Sequence, residues 1–252
     1  MGLQLLTGTF RAVLRNYDAV GLYVVLSAGI SSVKRSVDIL IKSGTIPLAD
    51  EVLMQTYRFA SDLFIAAGIA AASAIAFARM GCEIDRPMWK VKNDLAALNR
   101  FFVLWFIIGL LMLTFLRLLE RFAGPDPVGG VADALRMAFF LWWLVAVPFG
   151  ACVMFSGRLQ WSNLADDLKP LAGQFRLTLL ILFVNFLSFV GYLLVIDFLA
   201  TRPELQSKIW LSALIDVPFC LVDCFVFAGT WLICMEHRRR IEEERDHIDF
   251  DF

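Results

Sequence analysis

Histidine is scarce in this sequence: only His237 and His247 occur, both close to the C-terminus. Haem ligation by paired histidines within an apolar segment is therefore excluded. The chain also lacks the HExxH motif of zinc peptidases, the GxSxG motif of serine hydrolases and a glycine-rich phosphate-binding loop. These absences predict a protein that is not an enzyme and that carries no cofactor.

Cysteine is not abundant either, and its pattern does not predict a disulfide framework. The five cysteines are odd in number, and four of them fall in apolar runs. Cys220 and Cys224 stand one helical turn apart, but no histidine lies near them, and buried cysteine usually behaves as a small apolar residue. We therefore predict no metal site.

Charged residues are fewer than in a soluble protein. They make up 19% of the chain, against about 25% in soluble domains, while 59% of residues are hydrophobic and the mean hydropathy is +0.70. No block of basic residues is long enough to predict nucleic-acid binding. Several apolar runs exceed 18 residues, which is typical of membrane spans. The expected environment is a lipid bilayer.

These runs predict an all-α, polytopic membrane helix bundle with six transmembrane helices in a single domain. The spans are expected at about 18–42, 59–79, 101–120, 131–156, 177–200 and 209–235. In the first span only 15 uncharged residues precede Lys34 and Arg35, so this segment either crosses fully or re-enters. Short interfacial helices are expected between the spans, one of them within 157–176.

The N-terminal segment predicts an amphipathic helix that lies in the membrane interface. Its apolar residues recur every three or four positions, and Arg11 and Arg15 lie beside that row. The row comprises Leu3, Leu6, Phe10, Val13 and Tyr17, within 1–17. At the other end of the chain, residues 236–252 are predicted to form a charged tail.

The last span combines a long apolar run with internal acids. Trp210 and Trp231 stand 21 residues apart. On a helix that is about 31 Å, which matches the bilayer core and predicts an aromatic side chain at each interface. Asp216 and Asp223 interrupt the run, with Pro218 between them.

The second span consists largely of small residues. Alanine and glycine form two rows at four-residue spacing, which lets another backbone approach closely. We therefore expect this helix at the centre of the bundle. The rows comprise Ala66, Ala70, Ala74 and Ala78, and Gly68, Ala72 and Ala76.

The distribution of Lys and Arg predicts the orientation. With six spans and both termini in the cytoplasm, 14 of the 23 Lys and Arg residues fall on the cytoplasmic side and 9 on the other. This is the asymmetry that the positive-inside rule describes. An amphipathic start followed by six helices with little outside the membrane resembles many bacterial membrane proteins, so we expect a bacterial inner membrane.

Polar residues inside the spans form the candidate site. Asp216 and Asp223 lie on nearly the same helix face, about 10 Å apart in depth. Intramembrane acids often mark an ion or proton path, but the same residues are also compatible with an Asp–Arg network that holds helices together. In the second case Asp223 would be protonated or bonded to Asn185. The candidate residues are Asp216, Asp223, Asp197, Asp62, Asn185 and Arg117.

Two functions are compatible with these features. We predict a non-catalytic scaffold or accessory subunit of a membrane complex, because no soluble domain is expected and such proteins work through lipid-facing surfaces. Its partners would be other membrane subunits or a second copy of itself. The alternative is a small-solute or proton/cation-coupled transporter that uses Asp223 and Asp216.

Overall fold

The protein is a bundle of helices. The computed structural model describes residues 2–46, 50–84, 94–122, 129–157, 161–202 and 209–249, and all regular structure within these ranges is helical. The predicted all-α class is thereby confirmed. A short 3-10 turn, Trp161–Asn163, precedes α6. The helices are α1 (Gly2–Arg15), α2 (Tyr17–Lys42), α3 (Glu51–Met80), α4 (Leu95–Phe122), α5 (Gly129–Ser156), α6 (Leu164–Asp167), α7 (Lys169–Gly173), α8 (Phe175–Ala200) and α9 (Ile209–Asp249).

Five of these helices are long and apolar enough to cross a membrane, which supports an integral membrane protein. The sequence predicts six, and the difference is α2. With 26 residues α2 is long enough to span a bilayer, but Lys34, Arg35 and Asp38 make its second half too polar to qualify by composition. The five qualifying segments are Glu51–Met80, Leu95–Leu119, Asp133–Ser156, Phe175–Leu199 and Leu214–Glu244.

The small residues of α3 line a close packing surface, as predicted. This helix packs between α2 and α4, and Ala70, Ala74 and Ala78 each keep 2% or less of their surface exposed. At Gly68 an added Cβ would lie 2.6 Å from Cδ1 of Ile30. Glycine at that position therefore allows α2 to approach the backbone of α3.

An aromatic cluster fills the core where α2, α3, α4 and α9 meet. Phe77 of α3 stacks on Phe227 of α9 with ring centroids 4.3 Å apart, and the ring of Trp105 in α4 lies 4.6 Å from that of Phe77. Trp231 belongs to this cluster and is only 9% exposed. The expectation that Trp231 faces a lipid interface is therefore wrong, and the side chain of Trp210 lies outside the described part of the chain.

The last helix continues from the apolar segment into the charged tail without a break. α9 has 41 residues, which is about 60 Å of helix, so the predicted tail is helical as far as Asp249. Charge pairs stabilise this extension: Arg239 contacts Glu236 at 2.9 Å and Glu243 at 3.7 Å. Residues 250–252 lie outside the described ranges.

The N-terminal helix packs against the outside of α8 and α9. Leu5 and Thr9 are its buried residues, and they lie on a different face from the apolar row that the sequence emphasises. Gly229 of α9 makes this packing possible, because an added Cβ there would collide with Ile181 of α8 and come within 3.3 Å of Oγ1 of Thr9. α1, α8 and α9 therefore meet at Gly229.

Candidate functional site

Polar side chains recur every four residues along α2. Tyr23, Ser27, Ser31 and Arg35 therefore share one face of the helix. This face packs against α9, the helix that carries Asp216 and Asp223. The acids stand out in the sequence and their partners on α2 do not, although the four-residue spacing in the first span is the signal that indicates those partners.

Tyr23 and Asp223 form the deepest contact between the two helices. The phenol of Tyr23 donates a hydrogen bond of 3.1 Å to Oδ2 of Asp223. Tyr23 is buried, with 4% of its surface exposed, and its ring lies 5.5 Å from that of Phe77. The aromatic core therefore positions the hydroxyl group that meets the carboxyl group.

Further contacts follow along the same pair of helices. Ser31 and Arg35 both lie near the carboxyl group of Asp216. Ser27 faces Cys220 between these two contacts. Residue numbers therefore rise along α2 as they fall along α9, so the two helices run antiparallel. We call this arrangement the polar seam. It comprises Tyr23, Ser27, Ser31 and Arg35 of α2 with Asp216, Cys220 and Asp223 of α9.

The two acids of the polar seam face the same neighbour, as their seven-residue spacing predicts. They stand about 10 Å apart along α9, and α8 adds Tyr192 near Asp216. A carboxyl group hydrogen-bonded to a phenol can hold or pass a proton. Within the described residues, no three His, Cys, Asp or Glu side chains are arranged to hold a metal ion.

Asp62 and Arg117 form a two-pronged ion pair between α3 and α4. Nε of Arg117 lies 2.6 Å from Oδ2 of Asp62, and Nη2 lies 2.7 Å from Oδ1. Paired hydrogen bonds of this kind are the strongest geometry available to arginine and a carboxylate. The predicted Asp–Arg contact between helices is therefore present, and it involves a different pair of helices from the polar seam.

Asn185 stabilises α5 and does not reach Asp223. It is 2% exposed, and its Nδ2 donates to the carbonyl oxygen atoms of Leu144 at 2.9 Å and Trp143 at 3.3 Å. Pro148 stands four residues after Leu144 and has no N–H, so the Leu144 carbonyl lacks its usual helical donor. Asn185 supplies that donor. Of the two alternatives considered for Asp223, protonation or a bond to Asn185, the bond to Asn185 is therefore wrong, since Asp223 bonds to Tyr23.

The remaining candidate, Asp197, lies apart from the others. It is exposed on the surface of α8. Asp38 of α2, which is not among the six candidates, does join two helices. It accepts a hydrogen bond of 2.9 Å from the hydroxyl of Tyr57 in α3 and lies 3.4 Å from Lys34. Polar contacts thus link α2 to both α3 and α9.

Comparison with known proteins adds no functional assignment. The sequence matches no protein-family profile, no curated protein and no solved structure. The function must therefore follow from the arrangement of the side chains.

Proposed function

We propose that the chain is a non-catalytic integral membrane protein that acts as a scaffold or accessory subunit of a membrane complex. The observation that carries this proposal is that Asp223, Asp62 and Asn185 each bond to a group on a neighbouring helix. Polar groups used in this way hold helices together. A rigid bundle of this kind leaves its outer apolar surface for lipid, other membrane subunits or a second copy.

We further propose that the chain crosses the membrane six times, with both termini in the cytoplasm. α2 packs against α3 and α9, and two of its polar side chains bond to those helices: Tyr23 to Asp223 of α9 and Asp38 to Tyr57 of α3. A helix too polar to face lipid alone can cross a membrane when its polar side chains face protein. The bias in Lys and Arg supports the cytoplasmic position of the termini in a bacterial inner membrane.

α1 has the surface of a helix in the membrane interface. Its three sides differ: Leu5 and Thr9 face the bundle, Arg11 and Arg15 form an exposed cationic side, and a third side is exposed and apolar. An exposed apolar side next to a cationic side fits the boundary between acyl chains and headgroups. The apolar side comprises Leu3, Phe10, Leu14 and Tyr17.

Topology reporters test the sixth crossing. We expect a reporter at the N-terminus and one after Phe252 to give the cytoplasmic signal, and a reporter inserted at Gly44, between α2 and α3, to give the opposite signal. If the N-terminal and Gly44 reporters lie on the same side, α2 does not cross and only five helices span the membrane.

The polar seam favours one alternative, a proton/cation-coupled or small-solute transporter that uses Asp223 and Asp216. Its side chains form a row of polar groups where α2 packs against α9, and intramembrane acids often mark an ion or proton path. The scaffold and transporter proposals differ in what they require of Asp223. A carrier must exchange a proton or bind a cation, whereas a helix-joining group must only keep its hydrogen bond.

The variant Asp223→Asn distinguishes the scaffold from the transporter. The amide oxygen of Asn still accepts the hydrogen bond from Tyr23, so for a scaffold Asp223→Asn should preserve folding and the capture of partner subunits. Asp223→Leu leaves the buried phenol without an acceptor and should lower the free energy of unfolding by roughly 1–3 kcal/mol. Both variants are measured by thermal unfolding in mild detergent.

Proton or cation flux into proteoliposomes completes this test. For a scaffold we expect no flux in the wild type or in Asp223→Asn. The matched control is Asp197→Asn, which changes an exposed acid on α8 and should leave every readout unchanged. A wild-type flux that persists in Asp197→Asn and disappears in folded Asp223→Asn would replace the scaffold proposal by the transporter.

A further inference from the structure

Two cysteines from different helices meet inside the bundle. Sγ of Cys152 in α5 lies 3.4 Å from Sγ of Cys234 in α9. Both side chains are buried, with 1% and 0% of their surface exposed. Each belongs to the last turns of the apolar part of its helix, so the contact lies near one end of the bundle. The pair is separate from the polar seam.

Contacts on either side of the two sulfur atoms hold α5 and α9 in register. Phe155, one turn after Cys152, lies 5.1 Å from Trp231. The guanidinium group of Arg238, one turn after Cys234, lies 4.3 Å from the centre of the same Phe155 ring. A single ring thus contacts α9 both before and after Cys234. The sulfur atoms therefore stay close to each other while the bundle remains folded.

We propose that Cys152 and Cys234 form a dithiol site that a small peroxide converts reversibly into a disulfide joining α5 to α9. A disulfide is about 2.05 Å long, so the sulfur atoms need to move only about 1.4 Å closer. Burial excludes bulky oxidants, whereas hydrogen peroxide is small enough to enter between helix ends. The site is a redox modification site within the helix bundle.

The reaction proceeds in two balanced steps. One thiol loses its proton, the thiolate attacks hydrogen peroxide and the O–O bond breaks; sulfenic acid forms, and the released hydroxide takes the proton and leaves as water. The second thiol then attacks the sulfenic sulfur, the S–O bond breaks, and a second water molecule leaves as the S–S bond forms. Two electrons pass from the two thiols to the peroxide. A dithiol reductant reverses the change by thiol–disulfide exchange.

The new bond would fasten two helices that lie far apart in sequence. Cys152 and Cys234 are separated by 82 positions, and a cross-link that closes a long loop restricts the unfolded chain. We expect oxidation to raise the midpoint of thermal unfolding by roughly 5–10 °C. Because the proposal depends only on this thiol pair, it is independent of whether the protein is a scaffold or a transporter.

Thiol counting on the full-length protein tests the proposal. The purified chain in mild detergent is treated with hydrogen peroxide, denatured and alkylated, and the modified cysteines are counted by mass spectrometry. All five thiols are free beforehand; after oxidation we expect three, with a linked peptide pair that contains Cys152 and Cys234. Dithiothreitol added after denaturation should restore all five and remove the linked peptide pair.

Two single substitutions serve as a matched pair of variants. Cys152→Ser should abolish the linkage and the stability gain, whereas Cys224→Ser, which removes another buried thiol of α9, should retain both. If peroxide modifies the exposed Cys82 while Cys152 and Cys234 both stay free, or if a different pair becomes linked, the proposal is overturned. The peptide map of the wild type decides the question even if Cys152→Ser does not fold.

Discussion

Leucine at position 74 should destabilise the protein by about 1–3 kcal/mol, and leucine at position 70 should have a similar effect. Ala70 and Ala74 are 1% and 2% exposed within the central packing surface of α3. The extra carbon atoms of leucine have no space there, so the neighbouring helices must move apart or distort. The predicted consequence is a lower midpoint of thermal unfolding in mild detergent.

The matched control for this prediction lies on the same helix. Ala71 is exposed, so Ala71→Leu adds the same atoms to the outside of α3 and should change stability by less than about 0.5 kcal/mol. Equal effects at positions 71 and 74, or no effect at positions 70 and 74, would show that α3 is not a central helix.

Breaking the ion pair between α3 and α4 should also have a large effect. Asp62→Leu or Arg117→Leu removes both hydrogen bonds of this ion pair, and breaking a fully buried pair costs roughly 3–5 kcal/mol. The Arg117 side chain is 36% exposed and that of Asp62 is 14% exposed, so we expect about 2 kcal/mol for each single variant after allowing for screening. Thermal unfolding in detergent measures both values.

A double-mutant cycle shows whether the two side chains act together. The two single variants break the same pair of hydrogen bonds, so the variant that combines Asp62→Leu with Arg117→Leu should lose less stability than the sum of the single variants, by about 1 kcal/mol. Asp133 and Arg136 provide the control, since their pair at 2.9 Å is 74% and 59% exposed and Asp133→Leu should cost at most about 0.5 kcal/mol. Additive losses at 62 and 117 would contradict a direct pair.

Local patterns in the sequence are sufficient for the helices and for the close packing of α3. A helix depends on residues within a few positions of one another, so the apolar runs predict its presence and approximate ends. The alanine rows likewise predict their own burial, because four-residue spacing places them on one face. Hydropathy alone does not decide whether α2 crosses the membrane, since Lys34, Arg35 and Asp38 lower the mean hydropathy of a helix whose Tyr23 and Asp38 bond to other helices.

The pairing of polar groups depends instead on contacts between distant parts of the chain. Asp223 meets Tyr23 across 200 positions, and Asn185 meets the Leu144 carbonyl across 41. Composition identified Asp223, Asp62 and Arg117 as unusual, but it did not determine which group each would contact. Trp231 shows the same limit: its position near the end of a span follows from the sequence, whereas its burial follows from the rings packed around it.

The sequence by itself therefore determined the apolar helices of a membrane protein and the polar residues that such helices must accommodate. Only the tertiary structure decided that Asp223 belongs with α2, that Asn185 supplies the donor lost at Pro148, and that Cys152 lies beside Cys234. The physical reason is that hydrophobic periodicity acts within one helix, whereas a hydrogen bond or a thiol contact requires two helices to be placed side by side in a particular register.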